Sequence, residues 1–228
     1  AMGVTDVTGT QNIAMGLATL DALTTGNSNL SFGTNALGSA TTGCDNVAIG
    51  TTALGGGVLA KSGSDDACSN VAIGNGTMDA LTCGYNNVAI GTNALGTATT
   101  GSRNVAIGEL AMGGCITTGT CNVAIGQAAM DALTSGIDNI GIGTSVMDAL
   151  TTGICNVAIG ANALGASTTG CLNVAIGNLA LCGAATTGSQ NLAIGNTALD
   201  ALTSGDYNIA LGTGARGAST TGSQIVAI

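Results

Sequence analysis

An all-β fold, a parallel β-solenoid of about 13 coils, is what this sequence predicts, and three observations carry the prediction. The first is a period. A segment of the type Asn-Val-Ala-Ile-Gly recurs with its Asn at Asn12, Asn29, Asn46, Asn70, Asn87, Asn104, Asn122, Asn139, Asn156, Asn173, Asn191 and Asn208, and a further copy starts at Ile225. The starts lie 17 residues apart, except for 18 after Asn104 and Asn173 and 24 after Asn46. A fixed period this short is the signature of stacked supersecondary units. The second observation is local: Val88-Ala89-Ile90 alternates and stops at Gly91, which reads as a short strand and a turn. The third is compositional. The 228 residues contain 39 Gly and no Pro, which fits a chain that turns every few residues and commits its backbone N–H groups to ladders.

Competing classes fail on the same grounds. A helical repeat would need a 3.6-residue apolar stripe, and a chain this rich in Gly and Thr has none. Disorder is excluded by an apolar fraction of 45% against only 7% charged residues.

The elements follow in order. Residues 1–11 read as a cloning remnant, Ala1-Met2-Gly3, with an N-terminal lead-in, and residues 12–228 as a single β-solenoid repeat domain. Within a copy, Val88–Ile90 is one strand, Ala94-Leu95 opens a second apolar segment, and Thr99-Thr100-Gly101 makes the return turn, so two strands and two turns per coil are expected. Copies come in three forms, typified by Met78-Asp79-Ala80-Leu81-Thr82, by Ala94-Leu95-Gly96 and by the longer Met112-Gly113-Gly114-Cys115-Ile116. They run in that order from Asn70 and again from Asn139, as duplication of a three-coil block would leave them. Parallel coils stack at about 4.8 Å, which gives a rod roughly 60 Å long. The bulky Val and Ile columns are expected to fill the coil interior, and the intervening Ala column to form a flat outer stripe suited to a symmetric neighbour.

Stacking turns each repeat position into a column, and the columns hold the candidate sites. The twelve Asn can form a ladder, because a side-chain amide both donates and accepts; an Asn that merely suits a turn is the other reading. Asp21, Asp79, Asp131, Asp148 and Asp200 recur once per coil of the first form, as turn residues bonding local N–H groups. The Thr-Thr pairs, such as Thr99-Thr100 and Thr151-Thr152, invite an ice-binding reading, although adjacent strand residues point to opposite faces. Cys44 and Cys68 fall in one column of adjacent coils, and Cys155 and Cys171 in adjacent coils one column apart, so both pairs are candidate disulfides; small buried thiols are the alternative. Extra residues must leave the stack as loops. The 18-residue coils carry theirs at Gly113–Ile116 and Cys182–Ala185, and the 24-residue coil at Gly55–Ala60 and after Gly63. Lys61, Asp65 and Asp66 concentrate charge in that longest loop and mark it as the candidate exposed recognition loop.

Much is excluded. The formal charge is −9 with only Lys61, Arg103 and Arg216 positive, so there is no basic footprint for nucleic acid. No apolar run approaches the ~18 residues of a membrane-spanning helix, so no membrane insertion of this segment is expected. His is absent, no Cys pair has a C-x-x-C spacing and no Asp-rich loop is present, so neither catalytic nor metal residues nor cofactors are expected, and the chain does not read as an enzyme.

The columns typified by Asn46-Val47-Ala48-Ile49-Gly50, Asn104-Val105-Ala106-Ile107-Gly108 and Asn173-Val174-Ala175-Ile176-Gly177 resemble the YadA-like head repeats of trimeric autotransporter adhesins and related phage and viral tail-fibre repeats, over essentially Asn12 to Ile228. The adhesin repeat is usually shorter, and no stalk, neck or anchor accompanies this one. The resemblance implies a left-handed β-roll that assembles as a homotrimer, a structural or adhesive role in a surface fibre at the cell or virion surface, and a receptor on a host surface or matrix. The alternative is a monomeric, Thr-rich ice-binding solenoid.

Overall fold

The computed structural model describes residues 8–57, 59, 68–183, 187–217 and 220–228. It is all-β and its repeating unit is a solenoid coil. The chain divides into two compact units, one ending at Gly119 and the other beginning at Thr120. The first unit holds β1 (Ile13–Met15), β2 (Leu30–Phe32), β3 (Val47–Ile49), β4 (Val71–Ile73), β5 (Val88–Ile90) and β6 (Val105–Ile107). The second holds β7 (Val123–Ile125), β8 (Ile140–Ile142), β9 (Val157–Ile159), β10 (Val174–Ile176), β11 (Leu192–Ile194), β12 (Ile209–Leu211) and β13 (Val226–Ala227). Within each unit consecutive strands pair in parallel and in strict register, Val88 on Val105 and Val157 on Val174 for example. The 24-residue coil keeps that register, with Val47 on Val71, so its surplus residues leave the ladder undisturbed.

Each described coil contributes one three-residue strand, or two residues at β13, and not the two strands expected. The second apolar segment is a turn run in which left-handed residues alternate with ordinary ones: Asn93 and Leu95 have φ of 55° and 50°, and Asn162 and Leu164 both have φ of 53°. Asn tolerates that conformation, whereas Leu and Met pay roughly 1–2 kcal/mol for it. Stacking offsets the cost, because the turn backbone bonds both adjacent coils: Asn35 N–H donates down to Leu17 O at 2.8 Å and Leu37 N–H donates up to Ala53 O at 3.0 Å. The Gly that ends each strand is required. Gly160 sits at φ 133°, and a Cβ there would meet the carbonyl carbon of Gly177 at 2.7 Å.

The interior is reversed relative to the expectation. The strand Ala residues, Ala48, Ala89, Ala158 and Ala193 among them, are fully buried, and the Val and Ile on either side point out. The bulk inside comes from the turn run, from Leu37, Leu54, Met78, Leu95, Met130, Met147 and Leu164, joined in first-form coils by Leu81, Leu133 and Leu150. A coil of 17 residues encloses a narrow cross-section. One or two large side chains fill it, and only a small residue fits opposite them on the strand. The coil starting at Asn139 shows the trade: Val146 replaces the usual Ala, and Gly141 replaces the strand Ala, where a Cβ would come within 2.9 Å of Met130 Cε and 3.1 Å of Val146 Cγ1. In the coil of Asn29 the inward hydroxyl of Ser31 donates to Ala36 O at 2.9 Å and buries no unpaired group.

Candidate functional site

Because the Ala is inside, the outward face of each unit's sheet carries two apolar columns. In the first unit the second column reads Met15, Phe32, Ile49, Ile73, Ile90 and Ile107; in the second it reads Ile125, Ile142, Ile159, Ile176, Ile194, Leu211 and Ile228. The first column is Val, Ile or Leu throughout, and neither column holds a charged residue. These side chains are half-buried to exposed: Ile90 is 37% exposed, Ile140 40% and Ile159 39%. The rims are polar, with Thr34, Thr92, Glu109, Gln127 and Asn178 beyond the strands and Ser28, Asp45, Asn86, Arg103 and Asp138 before them. An apolar core strip between polar rims is the anatomy of a protein–protein interface. The Ala stripe expected to serve this purpose is buried, and the Val and Ile columns occupy its place.

The Asn columns form the best-satisfied polar feature. Asn139 Oδ1 accepts both the backbone N–H and the side-chain Nδ2 of Asn156, each at 3.0 Å, and Asn156 Nδ2 also donates to Gly170 O at 2.8 Å. The same triple bonding recurs from Asn29 to Asn12, from Asn87 to Asn70 and from Asn173 to Asn156. Both amide hydrogens and both oxygen lone pairs are thereby used, in side chains that are almost wholly buried. At Asn208 the acceptor is met by Arg216 Nη1 at 2.6 Å and Ile225 N–H at 3.3 Å. Arg216 occupies the repeat position held elsewhere by the core Leu or Met, and nothing in the sequence column announced that exchange.

The first Thr of each pair spends its hydroxyl on the next coil: Thr82 Oγ1 donates to Thr99 O, and Thr134 Oγ1 to Thr151 O, both at 3.0 Å. The second Thr, at Thr25, Thr100, Thr118, Thr152 and Thr169, is exposed. The pairs therefore supply one outward column.

The Asp column is a partly buried one. Asp79, Asp131 and Asp200 each bury an Oδ1 that has no hydrogen-bond partner, so local N–H groups satisfy these carboxylates only in part. Burial pushes the Asp148 carboxyl above its usual range, against backbone N–H bonds from Asp148 and Ala149 and with a smaller push from Asp131 on the adjacent coil. Among the described residues no group of three or more His, Cys, Asp or Glu could hold a metal ion, and no helix is long and apolar enough to cross a membrane.

All eight cysteines are thiols. Cys44 and Cys68 meet in one column. Cys155 and Cys171 do not: the Cys171 sulfur takes the Ile154 N–H at 3.4 Å and bonds Thr169 O at 3.3 Å, while Cys155 is exposed one column away. The candidate recognition residues Lys61, Asp65 and Asp66 lie outside the described residues, as do Ala60 and Ala185 of the expected loops. Arg103 lies over the Tyr85 ring at 5.1 Å.

No family model matches the chain, and neither a curated protein nor a solved structure matches it.

Proposed function

We propose that this chain is a structural and adhesive segment of a homotrimeric surface fibre, extracellular at the cell or virion surface, and without catalytic activity. The observation that carries the reading is the uncharged Val/Ile strip on the outer face of each unit's sheet. Apolar area of this regularity is stable in water only when covered, and identical columns in every coil match a second copy of the same chain rung for rung. The trimeric state and the fibre role come from the resemblance of the Asn-Val-Ala-Ile-Gly columns to adhesin head and tail-fibre repeats. Any receptor on a host surface or matrix would be met by what projects from the coils, above all the loop of Lys61, Asp65 and Asp66.

Mass in solution is the test. Light scattering at micromolar concentration is expected to give three times the 21.5 kDa chain mass. Ile107→Lys with Ile159→Lys is expected to lower that mass toward the monomer while the β circular-dichroism signal is retained. A wild-type monomer would overturn the reading.

One observation favours a second reading. The exposed outer Thr column is a regular hydroxyl array, as an ice-binding monomeric solenoid would need. Thermal hysteresis from a monomer would select it.

A further inference from the structure

Cys44 closes the coil that starts at Asn29, and Cys68 closes the 24-residue coil that starts at Asn46. Each stands three residues before a strand, and those strands pair Val47 on Val71, so the two cysteines share one column. The register is pinned on both sides of them. Ser69 N–H donates to Cys44 O at 3.0 Å, and Asn70 N–H and Nδ2 donate to Asn46 Oδ1 at 3.0 and 3.1 Å. Residues that face each other across such a ladder have Cα atoms about 4.8 Å apart, inside the range that a disulfide bridges. The two thiols are hydrogen-bonded to each other, and both side chains are only half-buried, so a small oxidant reaches them. No other cysteine faces a cysteine of the next coil in its own column: Cys171 stands between Ile154 and Ser189, and Cys182 between Gly165 and Asp200.

We propose that Cys44 and Cys68 are a redox clasp: a thiol pair that oxidises in place to a disulfide and closes the longest coil, residues 44–68, into a covalent ring. The oxidant is a low-molecular-weight disulfide such as oxidised glutathione. One protein thiolate attacks it, forms a mixed disulfide and releases one glutathione. The second thiolate attacks the protein sulfur of that mixed disulfide, forms the Cys44 Sγ–Cys68 Sγ bond and expels the second glutathione. The protein loses two protons and two electrons, and both leave in the two glutathione thiols. The clasp sits at the root of the coil that holds the most surplus residues, so it fixes the base of that loop without entering the strand ladder. Burial, with the neighbouring Cys44 thiol and Asp45 carboxylate, holds the Cys68 thiol above its usual range, so the exchange should quicken as pH rises.

Trypsin reads the clasp directly, because the chain's only cleavable residues are Lys61, Arg103 and Arg216. Lys61 lies between the two cysteines. The intact protein is incubated with oxidised glutathione at mildly alkaline pH, quenched by alkylation, denatured and digested without reduction. Peptides 1–61 and 62–103 are expected to remain joined, in the wild type and in Cys83→Ser, and to separate in Cys44→Ser and in Cys68→Ser. In those two variants the remaining partner should keep a glutathione adduct. Separate peptides from the oxidised wild type, each carrying glutathione or the alkylating tag, would overturn the proposal. So would a link that survives in Cys68→Ser.

Discussion

The two sides of a single coil solve the same stacking problem in opposite ways. On the strand side, three residues in ordinary β conformation point one small side chain inward and two large ones outward. On the turn side, the chain accepts left-handed φ at Leu or Met in order to point its largest side chain inward. The strand side is nearly constant, Val-Ala-Ile in seven coils, while the turn side changes form, volume and length. The difference shows where each constraint lives. Strand composition is set by what the outer face must meet and by the narrow interior, whereas turn composition is set by the core volume that the strand leaves empty.

The largest expected effect breaks the junction between the sides. Gly160→Ala places a Cβ against Gly177 at a φ that L side chains rarely adopt; a loss beyond about 4 kcal/mol, read as failure to recover folded protein, is expected. Removing bulk from the turn side comes next. Leu164→Ala empties a fully buried site and should cost about 2–5 kcal/mol by denaturant titration. The strand side should show the reverse preference for size. Ala158→Val overpacks the interior and should cost about 1–3 kcal/mol, whereas Val157→Ala, one residue earlier but facing out, should change monomer stability by less than about 1 kcal/mol. If Val157→Ala proved the more damaging to the isolated chain, the assignment of inside and outside would be wrong. A finer test of the turn side is Asn162→Ala, which should cost about 1 kcal/mol at φ 53°, with Asn162→Gly close to neutral.

The smallest effect concerns charge. Asp148 has its carboxyl value raised in the fold, so its stabilising contribution is present below the ordinary value of about 3.9 and is lost as pH rises through the raised value. Asp148→Asn should therefore raise the melting temperature slightly at neutral pH, and the gain should vanish in acid below that ordinary value.

Much of this was legible before any coordinates. The period, the strand at Val88–Ile90, the terminating Gly and the parallel register follow from columns of like residues. The Asn ladder was legible for the same reason, since one amide above another has both a donor and an acceptor to offer. Orientation was not legible. The pattern Val-Ala-Ile defines two faces but does not say which is enclosed, and the habit of placing bulk inside misleads when another segment supplies it. That segment was read as a second strand because Ala94-Leu95 is apolar, and no local preference of Leu signals a φ of 50°. Cys44 and Cys68 could be brought together by counting. The turning of the Cys171 sulfur toward Ile154 depends on side-chain geometry that counting does not reach.

The Asn ladder also has a direction. Within each unit every amide donates toward the preceding coil and accepts from the following one, so the side-chain dipoles add head to tail instead of cancelling. Aligned dipoles polarise one another in a buried, weakly screening setting, and the column accumulates positive potential toward its first coil and negative potential toward its last. In the second unit the oxygen that ends this column is Asn208 Oδ1, and the group set against it is the guanidinium of Arg216. A cation at the negative pole of a dipole array is the electrostatic complement that the C-terminus of an α-helix attracts, here met by a fold with no helix.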